Sequence, residues 1–224
     1  METELIQNAL VNINGEGVQT LELLVMLTLI SLLPTILIMT TSFTRILIVL
    51  SFLRNALGIQ QTPPNMVLIG IAIFLSLFIM NPVVTEINTN AYEPYKNEEI
   101  TQSEAIDRAS APLKNFMLKQ TEVKPMNMFL EISGTPRPEN LEELPMSVVI
   151  PAFMTSELNR AFTMGFLLFI PFVLIDIIVA STLMSMGMVM LPPAMISLPF
   201  KLLLFVVLNG WELVFGTLVR SFNL

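Results

Sequence analysis

The sequence predicts an all-α, membrane-associated protein: helical hairpins with broken tips, and a polar, partly helical insert between them. Three observations carry this. Four apolar stretches of roughly 20 residues each are long enough to cross a hydrocarbon core as helices. Apolar residues make up 54% of the 224 and charged residues 13%, with a mean hydropathy of +0.73, a balance that belongs to a membrane protein. No sustained apolar–polar alternation of the kind a membrane β-barrel needs runs through any stretch.

The elements follow in order. Residues 1–20 form a polar N-terminal segment opening Met1-Glu2-Thr3-Glu4. A secretory signal wants a basic start, so either the first apolar segment is itself the insertion signal or a leader is absent from this chain. Apolar segments 21–43, containing Pro34, and 66–84 form the first hairpin, 21–87. Between them Arg45 and Arg54 bracket an apolar stretch too short to span, followed by Gln60-Gln61-Thr62-Pro63-Pro64. The prolines break the chain. The two glutamines supply amides that need partners if buried, which predicts a tip held by neighbours.

The insert, 88–147, carries ten acidic and six basic residues, a net −4. Thr101-Gln102-Ser103-Glu104 has the capping-box pattern. Ile106, Ala109, Leu113, Phe116 and Met117 then follow at helical spacing, which predicts an amphipathic helix with a possible kink at Pro112. Its apolar stripe has to pack on the body of the protein or on a neighbouring copy.

The second hairpin, 148–219, contains a polar lead-in and apolar segments 161–183 and 195–219, with a tail at 220–224. In the lead-in, Glu157 and Arg160 are three apart and neighbours on a helix, which predicts a local pair or a contact with a partner subunit. Asp176 stands in the middle of the third segment, where a charge costs about 2.5–3.5 kcal/mol or more without a partner. Lys201, in the fourth, is the obvious candidate, within the chain or across subunits. The pair then fixes register; the alternative is a proton-coupled carboxylate. The fourth segment also holds Glu212 and Trp211, the latter suited to the membrane–water boundary.

The hairpin's tip is Met184-Ser185-Met186-Gly187-Met188-Val189-Met190-Leu191-Pro192-Pro193. Thioethers are flexible and polarizable, the glycine loosens the backbone and the prolines end any helix. Irregular backbone at membrane depth needs protein or a lumen around it. Two readings stand: a soft constriction in a pore, or a connecting loop whose methionines fill a core.

Composition also excludes. Cysteine and histidine are absent. Disulfides, thiolate or imidazole metal sites, haem ligation and Ser-His-Asp catalysis fall away, so no metal, no cofactor and no enzymatic activity are expected. A Ser197–Lys201 dyad has helical spacing, but Pro199 distorts it. The net charge of −7 argues against nucleic acid as a partner. Arg45 and Arg54, taken as residues of a short connection, put that tip and the methionine tip on the cytoplasmic side and the insert and both termini outside. Arg160 and Arg220 pull the other way.

The runs Arg45-Ile46-Leu47-Ile48-Val49-Leu50-Ser51-Phe52-Leu53-Arg54-Asn55-Ala56-Leu57-Gly58 and Gln60-Gln61-Thr62-Pro63-Pro64-Asn65 resemble the first long motif of the FliP family. Pro151-Ala152-Phe153 with Ser156-Glu157-Leu158 and Gly165-Phe166 resemble its second. Leu198-Pro199-Phe200-Lys201-Leu202-Leu203-Leu204-Phe205, ending in Asn209-Gly210-Trp211, resembles its third. The methionine tip sits where that family has a methionine-rich loop, with Val189 here interrupting the methionines, and the cleavable signal common in the family is not evident.

The resemblance implies a core subunit of the type III secretion export gate, flagellar or injectisome, in the bacterial cytoplasmic membrane. It implies copies of the chain joined with FliQ-like and FliR-like subunits in a helical, ring-like, conical complex standing largely above the membrane plane. Unfolded proteins pass through its channel, which Met186, Met188 and Met190 seal. A rival class is an ion-coupled small-solute transporter using Asp176 at a midplane site; the two hairpins show no detectable internal repeat to support it.

Overall fold

The computed structural model describes residues 10–13, 16–59, 61–136, 138, 140–188 and 190–222. The described chain is almost wholly helical, as the sequence predicts, and its contacts divide into two units, 1–39 and 40–224. Gln60 and Val189 lie outside the described residues.

The first unit contains a short antiparallel hairpin that hydropathy did not signal. Strand β1 (Leu10–Ile13) pairs with β2 (Glu16–Gln19), with Leu10 opposite Gln19 and Ile13 opposite Glu16. It leads directly into α1 (Thr20–Met39), which carries Pro34. Leu24, Leu27, Ile30, Leu33, Ile36 and Leu37 are all exposed on α1. Its hydroxyls turn inward: Thr28 Oγ1 donates to the Leu24 carbonyl at 2.7 Å, which removes a free polar group from an apolar surface.

The second unit is built around α2 (Phe43–Ala56). Ile46, Val49, Leu50, Leu53 and Ala56 recur at helical spacing and are essentially inaccessible, so this short helix is the core rather than a connection. It packs against α3 (Asn65–Ile87) and α7 (Met146–Ser185). Helix α3 does not stop where its apolar pattern fades. A π-helical turn, Asn88–Tyr92, carries it into α4 (Glu93–Lys96), making one rod of 32 residues from Asn65 to Lys96. The insert therefore begins as a continuation of the second apolar helix.

The predicted insert helix is α5 (Gln102–Gln120). Thr101 Oγ1 accepts from the Glu104 amide at 3.3 Å, so half of the capping box is made; the Glu104 carboxylate turns instead to Arg108 at 2.7 Å. A second helix, α6 (Val123–Ser133), ends at Gly134, whose φ of 64° permits the left-handed turn that closes it. The insert packs on the body of its own chain. Phe116 meets the Phe153 ring edge-on at 6.1 Å, and the Glu122 amide donates to Ser156 Oγ at 2.9 Å. Only the lower part of the predicted stripe is used: Phe116 and Met117 are buried, while Ile106 is exposed.

Helix α7 is 40 residues long, about 60 Å at 1.5 Å per residue, twice the roughly 30 Å of a hydrocarbon core. Its first half is buried through Val149, Ala152, Phe153, Glu157 and Ala161; its second half exposes Phe166, Ile170, Leu174 and Ile177. The last apolar segment is two helices, not one. α8 (Pro193–Val207) and α9 (Gly210–Arg220) meet at 64°. Asn209 takes φ 49°, and the Phe205 ring lies where a Cβ on Gly210 would be, 2.2 Å away, so glycine permits the close return. Trp211 caps the bend, edge-on to Phe205 at 5.3 Å.

Candidate functional site

The methionine tip joins α7 to α8. Gly187, at φ 75°, donates to the Met184 carbonyl, and the Met188 amide reaches the Leu183 carbonyl, both at 3.0 Å. These are the two bonds of a Schellman closure. The expectation that Gly187 loosens the backbone is corrected: it ends α7 in a defined turn. Pro193 opens α8 at its first turn, where a missing N–H costs nothing.

Between these ends the thioethers point away from the protein. Met186 is 67% exposed, Met188 41% and Met190 97%, and Met184 is also exposed. The alternative of a loop whose methionines fill a core is overturned for these residues, because their side chains have no interior to fill in the protomer.

Behind the tip, α7 and α8 run antiparallel and are tied by charge. Lys201 Nζ donates to Asp176 Oδ2 at 2.6 Å, Ser197 Oγ donates to Asp176 Oδ1 at 2.6 Å, and Lys201 also reaches the Ala56 carbonyl at 3.2 Å. The predicted Asp176–Lys201 pair is thus within one chain. The Ala56 contact joins it to the end of α2, so the two hairpin tips share one polar knot. It also answers the dyad: Ser197 and Lys201 each bond to Asp176 and not to one another.

The first tip is held by Arg54, whose guanidinium reaches the Asn65 side chain and the Pro63 carbonyl at 3.4 Å. Its Nε is buried without a hydrogen-bond partner among the described residues. Gln61 and Pro64 are exposed and Pro63 is half-buried, so no amide of Gln61 needs a partner within the protomer.

One expected local pair is replaced by a long-range one. Glu157 does not pair with Arg160. Its carboxylate receives a bidentate fork from Arg45, with Nε–Oε2 at 2.9 Å and Nη2 bonded to Oε1, both side chains being fully buried. Arg160 pairs with Glu122 of the insert at 3.5 Å. Arg45 is also satisfied by the Ser221 carbonyl and hydroxyl, each at 2.9 Å, and lies 3.8 Å above the Phe222 ring. The inference that Arg45 marks a short cytoplasmic connection fails, because its charge is matched inside the protein. Ser221 and Phe222 carried no signal in the sequence; they fall in what reads as a tail.

Among the described residues no group of three or more potential ligand side chains is placed to hold a metal. What the arrangement can do is mechanical: it fixes two helical tips to one another and presents apolar, deformable side chains.

The FliP family model matches residues 26–218, which contain all three motifs and the methionine tip. The flagellar biosynthetic protein FliP of Aquifex aeolicus is 52% identical, with 93% of this chain and 89% of that protein covered. The FliP of Bacillus subtilis is 51% identical, with coverages of 91% and 92%. That of Caulobacter vibrioides is 50% identical, with coverages of 95% and 82%. A match over nearly the whole length, together with about half identity to proteins from distant bacteria, places the conclusion beyond fold likeness: the chain belongs to the FliP family.

Proposed function

We propose that this chain is a non-enzymatic subunit of the flagellar protein-export gate in the bacterial cytoplasmic membrane. Several copies, with FliQ-like and FliR-like subunits, surround a conduit for unfolded polypeptides that Met186, Met188 and Met190 close. The exposure of those methionines on a rigidly terminated turn is the observation that carries the reading. Three apolar side chains held out from a fixed turn gain nothing in an isolated protomer. Brought together about an axis, they exclude water from a passage and still yield to a polypeptide of any sequence. A closed ring of identical chains requires a head-to-tail interface, and the exposed second half of α7 offers apolar area for one. Family membership favours the flagellar system over the injectisome, since the relatives are flagellar biosynthetic proteins.

Replacing Met186, Met188 and Met190 together with Ala, in cells expressing the complete gate, is expected to raise resting ion conductance above the parent background. Conductance at the parent level would place the seal elsewhere. The transporter reading loses its main support, because Asp176 already has a lysine and a serine as partners.

A further inference from the structure

Helix α9 ends on the body of the protein. Ser221 follows its last turn, and the Ser221 amide donates back to the Thr217 carbonyl at 3.0 Å. A serine hydroxyl has one proton to give, and here it goes to the Leu218 carbonyl at 2.7 Å. Both Ser221 oxygens remain free to accept from Arg45 Nη1, each at 2.9 Å. Arg45, on α2, therefore caps the carbonyl end of α9 while its other nitrogens hold Glu157. The next residue, Phe222, is buried.

The Phe222 ring meets partners from two separate parts of the chain. The Arg45 guanidinium lies 3.8 Å from its centroid. The Phe116 ring, from α5 of the insert, stacks on it with 6.3 Å between centroids and 19° between planes. Phe116 also meets Phe153 of α7 edge-on at 6.1 Å. Among the described residues no other aromatic pair joins the insert to the body. Elsewhere α5 is held less closely. Its first turns, with Ile106, Asp107 and Arg108, are exposed, and Pro112 removes a backbone donor where the docked half begins. On the side of α3, Phe116 borders a cleft of about 90 Å³ with Pro82, Glu86 and Lys119, so packing there is incomplete.

We propose that Ser221 and Phe222 form a strap that holds the docked half of α5, residues 112–120, against the body. Withdrawing the Phe222 ring releases that half of the helix while the core around α2 stays closed, because Arg45 keeps its pair with Glu157. The strap ties the position of the insert to the end of α9. It depends neither on what passes through the gate nor on what closes it.

Hydrogen exchange of the purified full chain in detergent tests the strap, read by mass spectrometry on peptides from 112–120 and from 46–56. Phe222→Leu keeps most of the apolar volume and removes the flat ring. It is expected to speed exchange across 112–120 about tenfold, the scale of one stacked pair with its cation contact, and to leave 46–56 within about twofold of the parent. Phe116→Leu is expected to open the same residues. The double variant should then exchange little faster than Phe116→Leu alone, since both changes remove one shared contact. Equal acceleration of 112–120 and 46–56 in Phe222→Leu would make Phe222 an ordinary core residue. No acceleration would make the stack idle, and full additivity of the two leucines would show that the rings act separately. Each of these three results overturns the proposal.

Discussion

Arg45 and Glu157 stand 112 residues apart in sequence and form a bidentate ion pair in which neither side chain is accessible to solvent. The pair bolts α2 to α7 at the centre of the second unit. Planar fork-to-carboxylate geometry gives it directionality that an ammonium does not have. Glu157→Gln leaves a buried guanidinium with no counter-charge and is expected to destabilise by about 3–5 kcal/mol. Arg45→Lys keeps the charge but loses the fork, the Ser221 contacts and the stacking on Phe222, so it is also destabilised, by less. Thermal unfolding of the purified chain in detergent reads both. Equal stability of Glu157→Gln and the parent would show the pair to be dispensable.

That pair also marks the limit of what the sequence discloses. The Asp176–Lys201 bridge was legible because one antiparallel turn forces the two helices together. The Thr101 cap was legible because its signal is local. Arg45 was not, since positive charge in a short stretch reads as surface until its partner, far along the chain, is known. Glu157 and Arg160 had the spacing for a local pair, yet each found a better-placed partner across an interhelical contact. The bend at Asn209–Gly210 had a partial signal, since Asn209, Gly210 and Glu212 interrupt the apolar run before it resumes at Leu213, but only the close approach of Phe205 demands the glycine. The methionine tip was recognised by composition, but excluding a core-filling role within the protomer needed the exposure of Met186 and Met190.

A second crossing of α2 and α7 lies at Gly165. A Cβ there would come within 2.5 Å of Phe52 Cγ and 2.9 Å of its Cβ. The Phe52 Cβ is fixed by the backbone, so rotation of the ring cannot relieve the clash. Gly165→Ala is therefore expected to push the helices apart and cost about 1–3 kcal/mol. Adding Phe52→Ala removes the obstruction and should recover part of the loss, which a double-mutant comparison of unfolding midpoints would read as a coupling. Strict additivity of the two changes would show that the contact does not set the helix separation.

Asp176 offers a contrast with Glu157. Its side chain is 38% exposed in the protomer, so the pair with Lys201 is less enclosed by protein than Arg45–Glu157. Asp176→Asn keeps one acceptor oxygen for the lysine and turns its amide to Ser197, whose hydroxyl can rotate to accept, and is expected to cost about 1 kcal/mol, well below Glu157→Gln. If Asp176 were the coupling carboxylate of a solute carrier, vesicles containing the purified chain would move a solute and Asp176→Asn would abolish it. On the proposed reading as one subunit of a gate, the chain by itself moves none, and that is the expected outcome.

The tip gives the sharpest separation between folding and function. Met190 is 97% exposed, so Met190→Ala removes no packing in the protomer and is expected to change its unfolding by less than about 0.5 kcal/mol. Gly187→Ala is different: its φ of 75° is strained for an L side chain, although space around it is free. It should cost about 1 kcal/mol by disturbing the turn that ends α7. The two changes therefore come apart. On the proposed reading Met190→Ala keeps protomer stability and loosens a shared seal, whereas Gly187→Ala lowers stability and misaims Met188 and Met190 together. Unfolding of the isolated chain and conductance of the assembled gate, measured on the same two variants, distinguish them. A marked loss of protomer stability in Met190→Ala would return the methionines to the role of packing residues.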